Sequence, residues 1–158
     1  MTASISLSTH NAAETQALGV RLAKHLTPGT ILGFEGPLGA GKTTFIQGIC
    51  KGLGVHEMVV SPTFVLMHVY EGKIPVYHFD LYRLQPKELE DLGWEEYLEG
   101  KGVSFVEWVD RAQGLFPFPH LRITLDYGDS ADERKFTFKP QGSQFSWLEE
   151  FLAACHSS

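Results

Sequence analysis

Cysteine is scarce in this 158-residue chain. Cys50 and Cys155 stand far apart with no Cys-x-x-Cys or Cys/His spacing, which excludes a disulfide framework and gives no zinc signature. The terminal Cys155-His156-Ser157-Ser158 fails as a prenylation box, because His156 is not aliphatic and no basic run precedes it. Long apolar runs are missing too. Nothing approaches the ~20 residues of a bilayer span, and the opening MTASISLSTHNAAE has neither the basic region nor the apolar core of an export signal, so a soluble, cytoplasmic protein without membrane contact is expected. An excess of basic charge is also lacking. With 13 Lys+Arg against 19 Asp+Glu, the net charge of −6 offers no broad surface to a phosphate backbone and argues against stand-alone nucleic-acid binding. What is present is apolar material, 43% of residues, enough at this length to bury roughly 70% of the unfolded surface. No repeat, low-complexity tract or linker divides the chain, so residues 1–158 are expected to form one domain.

The pattern of elements points to an α/β fold. Asn11 and Glu14 form a capping-box-like start, and Leu18, Leu22 and Leu26 recur at i, i+4 spacing until Pro28-Gly29, predicting a helix over about 12–26. Thr30 to Glu35 reads as a short buried strand, followed by a glycine-rich loop and a helix from Lys42 to Lys51. Val59-Val60 reads as a brief strand. Phe64 to Tyr70 and Ile74 to Tyr82 flank Glu71-Gly72-Lys73 as an antiparallel hairpin. A helix-prone stretch from Pro86 to Leu98, broken at Gly93, precedes a strand over Val103 to Val109. A second hairpin, Leu121 to Tyr127 with Arg134 to Phe138, and a closing helix from Phe145 to Ala154 complete the chain. Early alternation of strand and helix followed by hairpins predicts a mixed parallel and antiparallel central sheet flanked by helices. Such sheets bind ligands at the carboxyl ends of their strands, just past Glu35, Thr63, Asp80 and Glu107.

One of those positions carries a specific motif. Gly36-Pro37-Leu38-Gly39-Ala40-Gly41-Lys42-Thr43 matches G-x-x-x-x-G-K-[ST] between a predicted strand and a predicted helix. Glycines there let successive backbone N–H groups point into a concavity, and the helix adds its positive amino end beneath an anion. In this reading of a P-loop NTPase, Gly36, Leu38, Gly39, Ala40 and Gly41 cradle phosphates, Lys42 reaches the β- and γ-phosphates, and the Thr43 hydroxyl ligates Mg²⁺. Thr44 either touches the α-phosphate or simply opens the helix. Pro37 has no N–H to donate.

Such a site also needs a carboxylate on a neighbouring strand tip. Glu107, closing the apolar run from Val103, is the first candidate for the metal shell. The plainer alternative is a rim glutamate paired with a lysine. Asp80 is the second, as a metal-shell or water-positioning acid, with His78 on the same strand face as a hydrogen-bonded structural residue. A transition-metal reading of His78-Phe79-Asp80 lacks further ligands at suitable spacing. Thr63, in Ser61-Pro62-Thr63, lies where a γ-phosphate-sensing switch would fall, and Trp108 either packs or borders the site. Turnover is expected to be slow, because phosphoryl-transfer sites gain ~10³ to 10⁵ from an arginine and the loop has none; a partner would have to supply it, or Arg83 in cis, for which a surface salt bridge is the plainer alternative.

Taken in order, GPLGAGKTTF, SPTF, VYHFDLYRL and FVEW make the chain similar to the bacterial TsaE (YjeE-like) family over nearly its whole length. The resemblance implies a compact P-loop ATPase required for threonylcarbamoyladenosine in tRNA, working with a TsaD-type transferase and a TsaB-type scaffold. It implies that ATP and Mg²⁺ meet Lys42 and Thr43, that Asp80 and Glu107 form the acidic pair, that Trp108 is a functional neighbour, and that Asn11 and Thr15 border the adenine. The family usually carries an acid where this chain has Pro37, so any role of that acid is missing here. With a net charge of −6, tRNA contact is assigned to the partners. Two rival readings are a small-molecule or nucleotide kinase and a nucleotide-gated binding module with incidental hydrolysis. The short chain without an arginine-rich lid speaks against the kinase.

Overall fold

The computed structural model describes residues 5–37, 40–56, 67–81, 93–98, 100–107 and 118–156. In chain order the elements are β1 (Ile5–Thr9), α1 (Ala12–Ala23), β2 (Ile31–Glu35), α2 (Lys42–Gly52), β3 (Met67–Tyr70), β4 (Val76–Asp80), α3 (Trp94–Leu98), β5 (Val103–Glu107), β6 (His120–Tyr127), β7 (Arg134–Gln141) and α4 (Leu148–His156). The strands form one seven-stranded sheet ordered β1-β7-β6-β2-β5-β4-β3. β2 pairs in parallel with both β5 and β6, and β4 with β5, whereas β1/β7, β6/β7 and β3/β4 are antiparallel. The expected mixed sheet is therefore observed.

Alternation along the strands splits the core in two. Leu32 and Phe34 of β2 and Phe105 of β5 face α1 and α2, meeting Leu18, Leu22, Phe45, Ile46 and Ile49. Ile31, Phe79, Leu81 and Val106 face the other way, toward Leu98 of α3. The helices α1 and α2 touch backbone to backbone. A Cβ on Gly19 would stand 2.5 Å from the Phe45 carbonyl oxygen, and one on Gly48 would overlap the Gln16 carbonyl oxygen. Only glycine allows that approach, and it fixes α2, whose amino end carries the loop, against the rest of the fold.

Several boundaries differ from the sequence expectation, each for a local reason. The α1 helix ends at Ala23 because the last turn tightens: His25 N–H donates to Leu22 O and Leu26 N–H to Ala23 O, both i→i−3 bonds. The first hairpin begins its return strand at Val76, not Ile74. Lys73 N–H donates to Leu53 O at 2.7 Å, and Val103 N–H takes the Pro75 carbonyl, so residues 71–75 serve the end of α2 and β5 before the ladder starts. The last helix starts at Leu148, later than Phe145. The β1 strand was not expected at all. Among the described residues no helix is long and apolar enough to cross a membrane.

Candidate active site

At its carboxyl end β2 is held on the sheet by Glu35, whose carboxylate accepts from Thr124 Oγ1 at 3.0 Å and lies 4.0 Å from Arg122. The chain then turns sharply at Gly36, with φ +142°, where a Cβ would overlap the Leu125 carbonyl oxygen. Gly41, left-handed at φ +96°, is the N-cap of α2. Its carbonyl accepts from Phe45 N–H at 3.0 Å, while Ala40 N–H donates to Pro37 O at 3.2 Å. The amino end of α2 has no side-chain cap and no acidic residue in its first turn. Its N–H groups and the positive end of its dipole are therefore left for an outside anion. Lys42, the first helical residue, is only 6% exposed, and its ammonium donates to the Gly36 carbonyl, folding the charge back over the loop. Thr43 and Thr44 are half-buried.

The acids come together as the strand reading anticipated. In the parallel β4/β5 register Asp80 lies opposite Glu107, and in β2/β5 Phe34 lies opposite Glu107. These residues form one cross-strand row on the face covered by α2, since the Phe34 ring sits edge-on to Phe45 with centroids 6.1 Å apart. Both acids are buried. His78, one pleat back on β4, brings Nε2 to 2.6 Å from Glu107 Oε2. A carboxylate only accepts, so the ring nitrogen is the donor. Thr43, Asp80 and Glu107 supply oxygen donors, the set a hard divalent ion takes. Among the described residues no three His, Cys, Asp or Glu side chains gather into a metal cage. By their chemistry, one hydroxyl and two carboxylates fit Mg²⁺ of the kind held by one or two carboxylates and completed by substrate phosphates.

A family model described as "Threonylcarbamoyl adenosine biosynthesis protein TsaE" matches residues 9–136. The chain belongs to the TsaE family. A curated TsaE-family relative from Bacillus subtilis, named tRNA threonylcarbamoyladenosine biosynthesis protein TsaE, is 42% identical over 92% of this chain and 91% of its own length. A relative of the same name from Nostoc is 45% identical over 76% of each chain. Among solved structures, Bacillus subtilis YdiB superposes with a TM-score of 0.83 at 35% identity, covering 100% of this chain and 99% of that one.

In this TsaE-family chain the residues singled out from the sequence fall into three groups. Gly36, Ala40, Gly41, Lys42, Thr43 and Thr44 make the loop and helix start, and Asp80 with Glu107 make the neighbouring acidic row. Asn11 and Thr15 sit at the start of α1. Asn11 is the exposed N-cap, its Oδ1 accepting from Glu14 N–H at 2.8 Å, whereas Thr15 is buried with its hydroxyl 2.7 Å from that of Thr9. Only the Asn11 half of the predicted capping box forms: the Glu14 carboxylate accepts instead from His10 N–H, one residue before the N-cap, at 2.9 Å, and this bond holds the Glu14 carboxyl below its usual range. Leu38, Gly39, Thr63, Arg83 and Trp108 lie outside the described residues, as do the Val59-Val60 strand and the stretch from Pro86 to Leu92.

One residue escaped the sequence reading. Arg134, the first residue of β7, pairs with Thr9 of β1, and its side chain lies 3.8 Å from where a Gly41 Cβ would stand. Its guanidinium donates to Ala131 O and Glu133 O, both at 2.9 Å, and sits 5.2 Å from the centroid of the Tyr127 ring. An arginine is therefore anchored beside the helix start from a strand 92 positions later in the chain, 134 − 42. The β2/β6 and β6/β7 registers, with Glu35 opposite Thr124 and Tyr127 opposite Arg134, carry it there.

Proposed function

We propose that this chain binds ATP at the loop between β2 and α2 and hydrolyses it with Mg²⁺, in support of threonylcarbamoyladenosine formation in tRNA. The observation that carries the reading is the uncapped, acid-free amino end of α2 with a buried lysine at its first position, beside a row of two buried carboxylates. On binding, the Lys42 ammonium leaves the Gly36 carbonyl for the β- and γ-phosphates, and the amides ahead of α2 take the remaining phosphate oxygens. Thr43 and Glu107 would hold Mg²⁺, which when bound neutralises charge across the β- and γ-phosphates. Asp80 orients the attacking water or completes the metal's outer contacts. Arg134, beside Gly41, is a cation available from within the chain to the same phosphates.

The short chain without an arginine-rich lid favours water over a kinase acceptor. The family's membership in threonylcarbamoyl adenosine biosynthesis supports the tRNA role, and the charge of −6 supports leaving the RNA to partners of the TsaD and TsaB types. Hydrolysis would then drive a conformational or release step in that assembly. The test follows γ-labelled phosphate while the chain is reconstituted with those two proteins and tRNA. The expected outcome is free phosphate and multiple rounds of modification that require ATP. Label on a small acceptor would indicate a kinase, and modification that persists with Glu107→Gln would make hydrolysis incidental.

A further inference from the structure

We infer that His78 is a positioning residue for Glu107, fixing the carboxylate that receives the divalent ion. The inference rests on the reading of Glu107 as a metal-shell acid and adds a residue to it. Strand geometry supplies the first argument. His78 lies opposite Phe105 and Asp80 opposite Glu107, so His78 reaches Glu107 diagonally across the β4/β5 pair, a separation of roughly 7–8 Å between backbones that a ring of this length spans.

Burial supplies the second. The two side chains are 1% and 4% exposed, so this 2.6 Å bond forms away from competing water and fixes Oε2 in one position. The ring itself is confined. Phe105 packs against it edge-on at 6.1 Å between centroids, and Tyr70 lies across it at the same distance. Nδ1 has no hydrogen-bond partner among the described residues. Its Nε2 is directed at an acid one cross-strand step from Asp80. Such outer contacts set the orientation of a metal-binding carboxylate before the ion arrives, and their loss commonly lowers metal affinity about tenfold to hundredfold.

The test compares wild type, His78→Gln and His78→Leu as full chains, with a non-hydrolysable ATP analogue and Mn²⁺ followed by electron paramagnetic resonance. The glutamine amide reaches about as far as Nε2 and retains the donor, whereas leucine removes it. His78→Leu should weaken Mn²⁺ binding about tenfold or more, and lower kcat with an unchanged KM for ATP. Analogue affinity measured in EDTA should stay within about twofold of wild type, and His78→Gln should recover Mn²⁺ affinity to within about threefold. Should His78→Leu not fold, His78→Asn, whose amide stops short of Oε2, takes its place. A folded donor-less variant with wild-type Mn²⁺ affinity overturns the inference, and so does a glutamine variant as impaired as the leucine one. Wild type that binds no analogue overturns the nucleotide reading and this inference with it, an outcome distinct from the other two.

Discussion

Replacing Glu107 by glutamine should separate stability from turnover. The glutamine oxygen still accepts from His78 Nε2, so the buried bond survives in weaker form. Hydrogen bonds to charged groups contribute about 1.5–3 kcal/mol and neutral ones about 0.5–1.5, which puts the loss near 1 kcal/mol. Against it stands relief of repulsion, because Asp80 lies directly opposite Glu107 and like charges so placed destabilise a sheet by about 0.2–1 kcal/mol. The two terms nearly cancel. At about 2–4 °C per kcal/mol for a chain of this size, the metal-free melting temperature should move by less than about 4 °C. Alanine is different: it leaves the His78 donor buried and unsatisfied, at about 1–3 kcal/mol before any cavity, so the melting point should fall by about 2–12 °C. Phosphate release in the presence of Mg²⁺ should drop at least about a hundredfold in both variants. Thermal denaturation by circular dichroism and a coupled phosphate assay on the same samples provide the two readouts. A glutamine variant that hydrolyses ATP like wild type, or that fails to fold, would refute the reasoning about this acid.

Other expectations bear on the scaffold. Gly48→Ala pushes a methyl into the Gln16 carbonyl at the α1/α2 contact; overpacking of about 1–3 kcal/mol should lower the melting temperature by about 2–12 °C, and a melting curve superposable on wild type would show that the helices are not so closely fixed. His120 is buried, and loss of hydration holds its pKa below the ordinary 6.5, with the Phe118 carbonyl at 2.9 Å opposing and Arg122 reinforcing the shift. The unfolded chain therefore takes up the proton first on acidification, so stability is full above about pH 6.5 and declines as pH falls through the folded value. In His120→Gln the loss of melting temperature between pH 7.5 and pH 5 should be smaller than in wild type; an equal loss would mean that other groups carry the acid sensitivity.

The loop was legible because its chemistry is local. Gly36, Gly41, Lys42 and Thr43 are adjacent in the chain, and the strand before and helix after them are strongly patterned. Asp80 and Glu107 were legible for a different reason: each ends a short apolar strand, and parallel strands finish at a common edge. Three features depended on pairing between distant segments. β1 reads as Ile-Ser-Leu-Ser-Thr, too rich in hydroxyls to announce a strand, and its partner begins 125 positions after it ends, 134 − 9. Arg134 reaches Gly41 through the β2/β6 register, Glu35 opposite Thr124, together with the β6/β7 register, Tyr127 opposite Arg134. His78 was read as a hydrogen-bonded structural residue, and its partner, Glu107, could be found only once the β4/β5 register was known.

The central claim is that the loop ahead of α2 receives a nucleotide's phosphates with Lys42 as their counter-charge. Calorimetric titration of wild type and Lys42→Ala with a non-hydrolysable ATP analogue and Mg²⁺ tests it most directly. Wild type should bind, and the alanine variant, melting close to wild type, should bind about tenfold or more weakly, the loss expected of a charge-assisted contact. Equal affinity in the two proteins, or no binding to wild type, would contradict the account.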